Sequence, residues 1–81
     1  MFNHINYATI DGETMLINRN NNKSLMLNES GSIIWNYIIQ NKDKEEIVSD
    51  LSNLYPNQKY EIERDVNEFF SILRKYGVFD E

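Results

Sequence analysis

No cysteine occurs among the 81 residues, which excludes a disulfide, a thiolate nucleophile and a thiolate metal site, and makes a reducing cytoplasm the expected location. Histidine is equally scarce. His4 stands alone, so no zinc set can form around it, and the carboxylates lack the order and the glycine of a calcium loop. No stretch approaches the roughly 18 apolar residues of a membrane span, and Met1 to Tyr7 carries neither the basic nor the apolar region of a signal peptide. Positive charge is outnumbered, 8 Lys and Arg against 13 Asp and Glu, and a net charge of −5 repels the phosphates a nucleic-acid binder must approach. A chain this short buries only about 60–65% of its unfolded surface, which leaves little room for an enclosed active site. Neither catalysis nor a cofactor or metal is expected.

What is present falls into two halves. His4 to Ile10 and Thr14 to Ile17 are β-branched and aromatic runs separated by Asp11-Gly12-Glu13, and Asp-Gly between such runs signals a hairpin. Asn18-Arg19-Asn20-Asn21-Asn22 reads as a second turn, because Asn tolerates left-handed backbone and bonds its own main chain. It lacks the glycines and following lysine of a phosphate-binding loop. A third strand, Lys23 to Leu27, then runs through Asn28 into a helix of about Glu29 to Gln40. Asn28 is suited to cap that helix, and Glu29 puts negative charge at the positive end of its dipole. Ile33, Ile34 and Trp35 are expected to begin the core, and His4 to be an exposed terminal residue.

Asp43 and Glu46 have the spacing of a capping box, so a second helix starts there, with Ile47, Val48, Leu51, Leu54 and Tyr55 on one face and Pro56 as its stop. A third helix spans about Tyr60 to Tyr76 and ends at Gly77, where a left-handed cap is needed, after which Val78 and Phe79 can fold back. Three antiparallel strands followed by three α-helices make an α+β, winged-helix-like fold.

The third helix is the least ordinary element. Ile62, Val66, Phe69, Phe70, Ile72, Leu73 and Tyr76 span about 160° of its circumference, wider than the ~100° that one core face requires. Ile62, Val66 and Leu73 lie near the middle, and Ile72 and Phe70 at opposite margins. Either the domain wraps this helix deeply, or one margin lines a groove beside the sheet. Asp65 falls within the arc, so it lies at a groove margin or has a partner. In the third strand Leu25 and Leu27 share one face and Ser24 and Met26 the other, and alternation does not say which face meets the helix. Leu27 is expected in the core, Met26 suits either core or an adaptable contact, and Trp35 fills the core. Glu61, Glu63, Asp65 and Glu68 alternating with Arg64, Arg74 and Lys75 mark a solvated face.

Taken together, Asp11-Gly12, Leu27-Asn28-Glu29-Ser30-Gly31, Ile34-Trp35 and Gly77 resemble the PqqD-like proteins, peptide-binding modules also called RiPP recognition elements. The resemblance covers nearly the whole chain and implies one free-standing PqqD-like domain over residues 1–81. In that family the leader of a ribosomally made precursor binds as an extra strand along the third strand and against the third helix. Here the resemblance implies contacts from Lys23, Ser24, Leu25, Met26 and Leu27, and from Asp65, Val66, Phe69, Ile72, Leu73 and Tyr76. It also implies a non-catalytic adaptor that presents the leader to a modifying enzyme, either a radical-SAM maturase or a lasso-peptide leader peptidase with its cyclase.

Two readings of other classes compete. A winged-helix DNA-binding regulator would share the fold, but Glu61, Glu63, Asp65 and Glu68 would face the phosphates. A self-associating module would pair the exposed third-strand edge with its own copy, as a homodimer.

Overall fold

In the computed structural model, which describes residues 2–80, the chain forms β1 (Ile5–Ile10), β2 (Glu13–Asn18), β3 (Ser24–Leu27), α1 (Glu29–Ile39), α2 (Lys44–Leu54), a single 3₁₀ turn (Pro56–Gln58) and α3 (Lys59–Lys75). The strands form an antiparallel sheet in the order β1-β2-β3. Its first hairpin closes on Ile10 opposite Glu13, with Asp11 and Gly12 both at positive φ (53° and 82°), the backbone that a two-residue turn between twisted strands requires. The second turn uses Asn22 at φ 61°. Lys23 precedes β3 rather than belonging to it.

Each helix starts or ends on the chemistry its sequence provides. Asn28 Oδ1 accepts from the Gly31 N–H at 2.9 Å, capping α1. Asp43 and Glu46 form a reciprocal capping box at the start of α2, with bonds of 2.8 and 3.1 Å. At the end of α3, Gly77 lies at φ 72°, its N–H bonds to Arg74 O and the Val78 N–H bonds to Leu73 O. This is the paired Schellman closure, with its apolar contact supplied by Val78 and Leu73 in the core.

The sheet packs one face on the helices. Leu16, Leu27, Trp35, Ile47, Val66, Leu73 and Val78 are buried between them, and the Trp35 ring lies 5.5 Å from both Phe2 and Tyr7. Three expectations are corrected. His4 is not exposed: it is buried, and its Nε2 donates to Gly77 O at 3.1 Å, because the segment after α3 folds back onto the residue just before β1. Ile33 lies outside the core, 45% exposed, since the α1 face that buries Ile34 and Trp35 turns it outward. Leu54 and Tyr55 are exposed as well, because α2 meets α3 mainly through Ile47, Val48 and Leu51 and ends before those two residues reach the core.

The wide apolar arc of α3 is used on three sides. Val66 and Leu73 face the core, Phe70 stacks on Phe79 at 5.7 Å on one margin, and Ile72 on the other margin is left 42% exposed beside β3.

Candidate functional site

The free edge of the sheet has a definite chemistry. Asn18 N–H donates to Lys23 O at 2.9 Å, so Asn18 and Lys23 form a hydrogen-bonded pair. Because such pairs alternate along an antiparallel ladder, Leu16 with Leu25 and Thr14 with Leu27 also bond each other. Ser24 and Met26, opposite Ile17 and Met15, therefore point their N–H and C=O groups outward, away from β2. Among the described residues no strand pairs with this edge.

Beside it lies a groove of about 440 Å³. Leu25, Met26 and Leu27 form one wall, Phe69 and Ile72 of α3 the other, and the α1 start borders it with Asn28, Ser30, Gly31 and Ile34. The side-chain face that meets the helices is that of Leu25 and Leu27, since their partners Leu16 and Thr14 are buried on that face, whereas Met26 is 56% exposed. Among the described residues, the charged ones lining the groove are Asp65 and Glu68. Among the described residues no three His, Asp or Glu side chains converge as a metal site, and no helix is long and apolar enough to cross a membrane.

Gly31 sets the width where the α1 start meets the groove. A Cβ there would lie 3.1 Å from Phe69 Cε1 and 3.4 Å from Leu27 Cβ, so α1, β3 and α3 meet closely only because this side chain is absent. Gly31→Ala gains about 1 kcal/mol of helix propensity and pushes the Phe69 ring toward the groove. The expected result is a melting temperature within a few degrees of the parent, read by circular dichroism, with the groove narrowed beside Phe69.

The family model for Coenzyme PQQ synthesis protein D (PqqD) matches residues 13–78, from the first residue of β2 to the Schellman closure, and includes every groove residue. The chain belongs to the PqqD family. A solved structure described as TbiB1 in complex with the TbiA(beta) leader peptide superimposes with a TM-score of 0.84 at 28% identity, covering 94% of this chain and 88% of that one. No curated protein matches the chain. The α+β fold expected from the sequence, three antiparallel strands then three helices, is thus both observed directly and shared with a PqqD-like relative.

Of the residues singled out in the sequence, the structure gathers Leu25, Met26, Leu27, Asp65, Phe69 and Ile72 around this PqqD-family groove. Asp65 lies at its margin, one of the two alternatives its place in the arc allowed. Val66 and Leu73 sit in the core beneath it, 1% and 0% exposed. Lys23 and Ser24 are exposed beyond its end, and the half-buried Tyr76 contributes its carbonyl to the α3 terminus, where Asn18 and Asn21 bond it. The sequence reading did not name Asn28, Ser30, Gly31, Ile34 or Glu68 as site residues. In the sequence Asn28 reads as the α1 cap, Asn28, Ser30, Gly31 and Ile34 as part of the motifs that carry the family resemblance, and Glu68 as one more solvated charge.

Proposed function

We propose that this chain is a non-catalytic PqqD-like domain that binds the leader of a ribosomally made precursor peptide as a fourth strand on β3, and holds it for a modifying enzyme. The observation that carries the reading is the outward-facing N–H and C=O of Ser24 and Met26 alongside a groove whose far wall, α3, offers Phe69 and Ile72 together with the acidic Asp65 and Glu68. Strand addition draws affinity from main-chain bonds and specificity from side-chain pockets. Net bonds of about 0.5–1.5 kcal/mol each and two or three anchors at ~1.5–3 kcal/mol must cover both the ~8 kcal/mol of micromolar binding and the ordering of the peptide. The anchors in the groove therefore decide the affinity. The TbiB1 complex with a leader peptide supports the assignment, since its fold matches this one over 94% of the chain.

Tethering supplies the advantage. A leader held here raises the local concentration of its attached core peptide to about the millimolar range beside an enzyme that docks the domain. The enzyme, a radical-SAM maturase or a leader peptidase with its cyclase, performs the chemistry in the cytoplasm. The same unpaired edge is open to β3 of a second copy, and the leader would dissolve a homodimer formed in that way. DNA binding is disfavoured here, because the charged residues that line the groove among the described residues, Asp65 and Glu68, are both acidic.

The test is fluorescence polarisation with labelled leader segments from small open reading frames encoded beside the gene, and scrambled leaders as controls. Saturable binding at micromolar concentration or tighter to one leader is expected. Absence of binding to every leader, by a protein shown to be folded, overturns the reading.

A further inference from the structure

The groove does not end at Asp65. A second apolar cleft of about 250 Å³ opens between α1, the end of α2 and the first half of α3, and Ser30, Ile34 and Asp65 line both spaces. Its floor includes Ile34 and Val66, both buried, and its rim carries Ile33 and Tyr55, 45% and 53% exposed. Those two side chains, out of place in a core, are placed to flank an inserted apolar group. Asp65 stands at the junction with a side chain 60% exposed, and its ion pair with the neighbouring Arg64 is long at 3.6 Å. No Lys or Arg lines either cleft.

We propose that the two clefts are read together by one leader, with an apolar side chain in each and a Lys or Arg between them over Asp65. The proposal rests on the leader-binding reading above and adds the class of leader. Ten residues of α3 separate Ile72 from Ile62, about 15 Å of helix, and an extended peptide covers that distance in four to five residues. The occupant is thus a peptide with two apolar anchors about that far apart and a basic residue between them. Continuity with the groove argues for the same ligand in both clefts, and the acidic junction argues for its charge.

The experiment is display selection of a random-sequence peptide library on the protein, followed by titration of enriched peptides against Asp65→Asn, Ile33→Ser with Tyr55→Ser, and Met26→Pro. All the substituted side chains are exposed, and circular dichroism checks each fold. Enriched peptides are expected to carry Lys or Arg between two apolar positions. Asp65→Asn should weaken them about two- to fivefold, as for an exposed ion pair, and this loss should vanish in high salt. The double serine variant should cost about tenfold and remove the preference at one apolar position only. Binders that lose affinity with Met26→Pro yet show no basic enrichment, or ignore Asp65→Asn, overturn this inference and leave leader binding standing. Binders indifferent to Met26→Pro, or no binders at all, overturn both.

Discussion

Met26→Pro should weaken leader capture by more than about tenfold and leave the domain folded. Proline has no N–H, and the ladder places the Met26 N–H on the outer side of β3, where no bond to β2 is lost. Edge strands tolerate proline in that orientation. The incoming peptide, however, loses one main-chain bond, worth about 0.5–1.5 kcal/mol, and the ring crowds the approach of its backbone, so an affinity loss of more than about tenfold is expected. Leu25→Pro is the matched control. Its N–H faces Leu16, inside the sheet, and the substitution removes a ladder bond and leaves a carbonyl unpaired, which should cost the fold about 1–3 kcal/mol, visible as a lowered melting temperature. Parental affinity in a folded Met26→Pro protein would show that the peptide does not pair with this edge.

Asn18→Ala should lower the melting temperature by about 10–20 °C, the equivalent of ~2–3 kcal/mol for a domain of this size. Asn18 is 4% exposed, and its Nδ2 donates to Tyr76 O at 2.9 Å and to Gly77 O at 3.1 Å, while its Oδ1 accepts from Asn20 N–H at 2.9 Å. Alanine deletes all three bonds, at about 1 kcal/mol each. His4 remains on Gly77 O and Asn21 on Tyr76 O at 3.4 Å, so the end of α3 is loosened rather than released. The effect extends to function, because these bonds tie the end of the groove's helical wall to the sheet. Leader affinity should fall in the variant even at temperatures where it is fully folded. Asn20→Ala, in the same turn but exposed and bonded through its backbone, should change neither melting nor binding, as measured by circular dichroism and fluorescence polarisation.

The two Asn positions illustrate how far the sequence could be read. Asn18 to Asn22 reads as a turn, since left-handed tolerance and self-bonding are properties of asparagine itself; Asn22 does sit at φ 61°, but Asn18 ends β2 and the turn begins at Arg19. That Asn18 also clamps α3 was not legible, because its partners lie 58 and 59 positions away. His4 is the same case at 73 positions, which is why it read as a terminal residue and is instead buried. At the groove, the breadth of the α3 arc left open either deep wrapping or a groove at one margin, and in the fold Ile72 lines the groove while Phe70 stacks on Phe79. Nothing in the spacing told whether Val66 and Leu73 would reach a ligand or the core, since that depends on how deep the sheet lets the helix settle.

The sequence alone determined the elements and their joints: the Asp11-Gly12 turn, the Asn28 cap, the Asp43 and Glu46 box and the Gly77 closure. Each is decided within a few residues, by φ preference or by a side chain that bonds its own backbone. The tertiary structure decided which backbone groups of β3 face outward, which of its faces meets α3, and that Asp65 stands between two clefts. Those features arise only when segments remote in sequence are brought side by side, because an open strand edge and the far wall of a groove belong to no single stretch of chain.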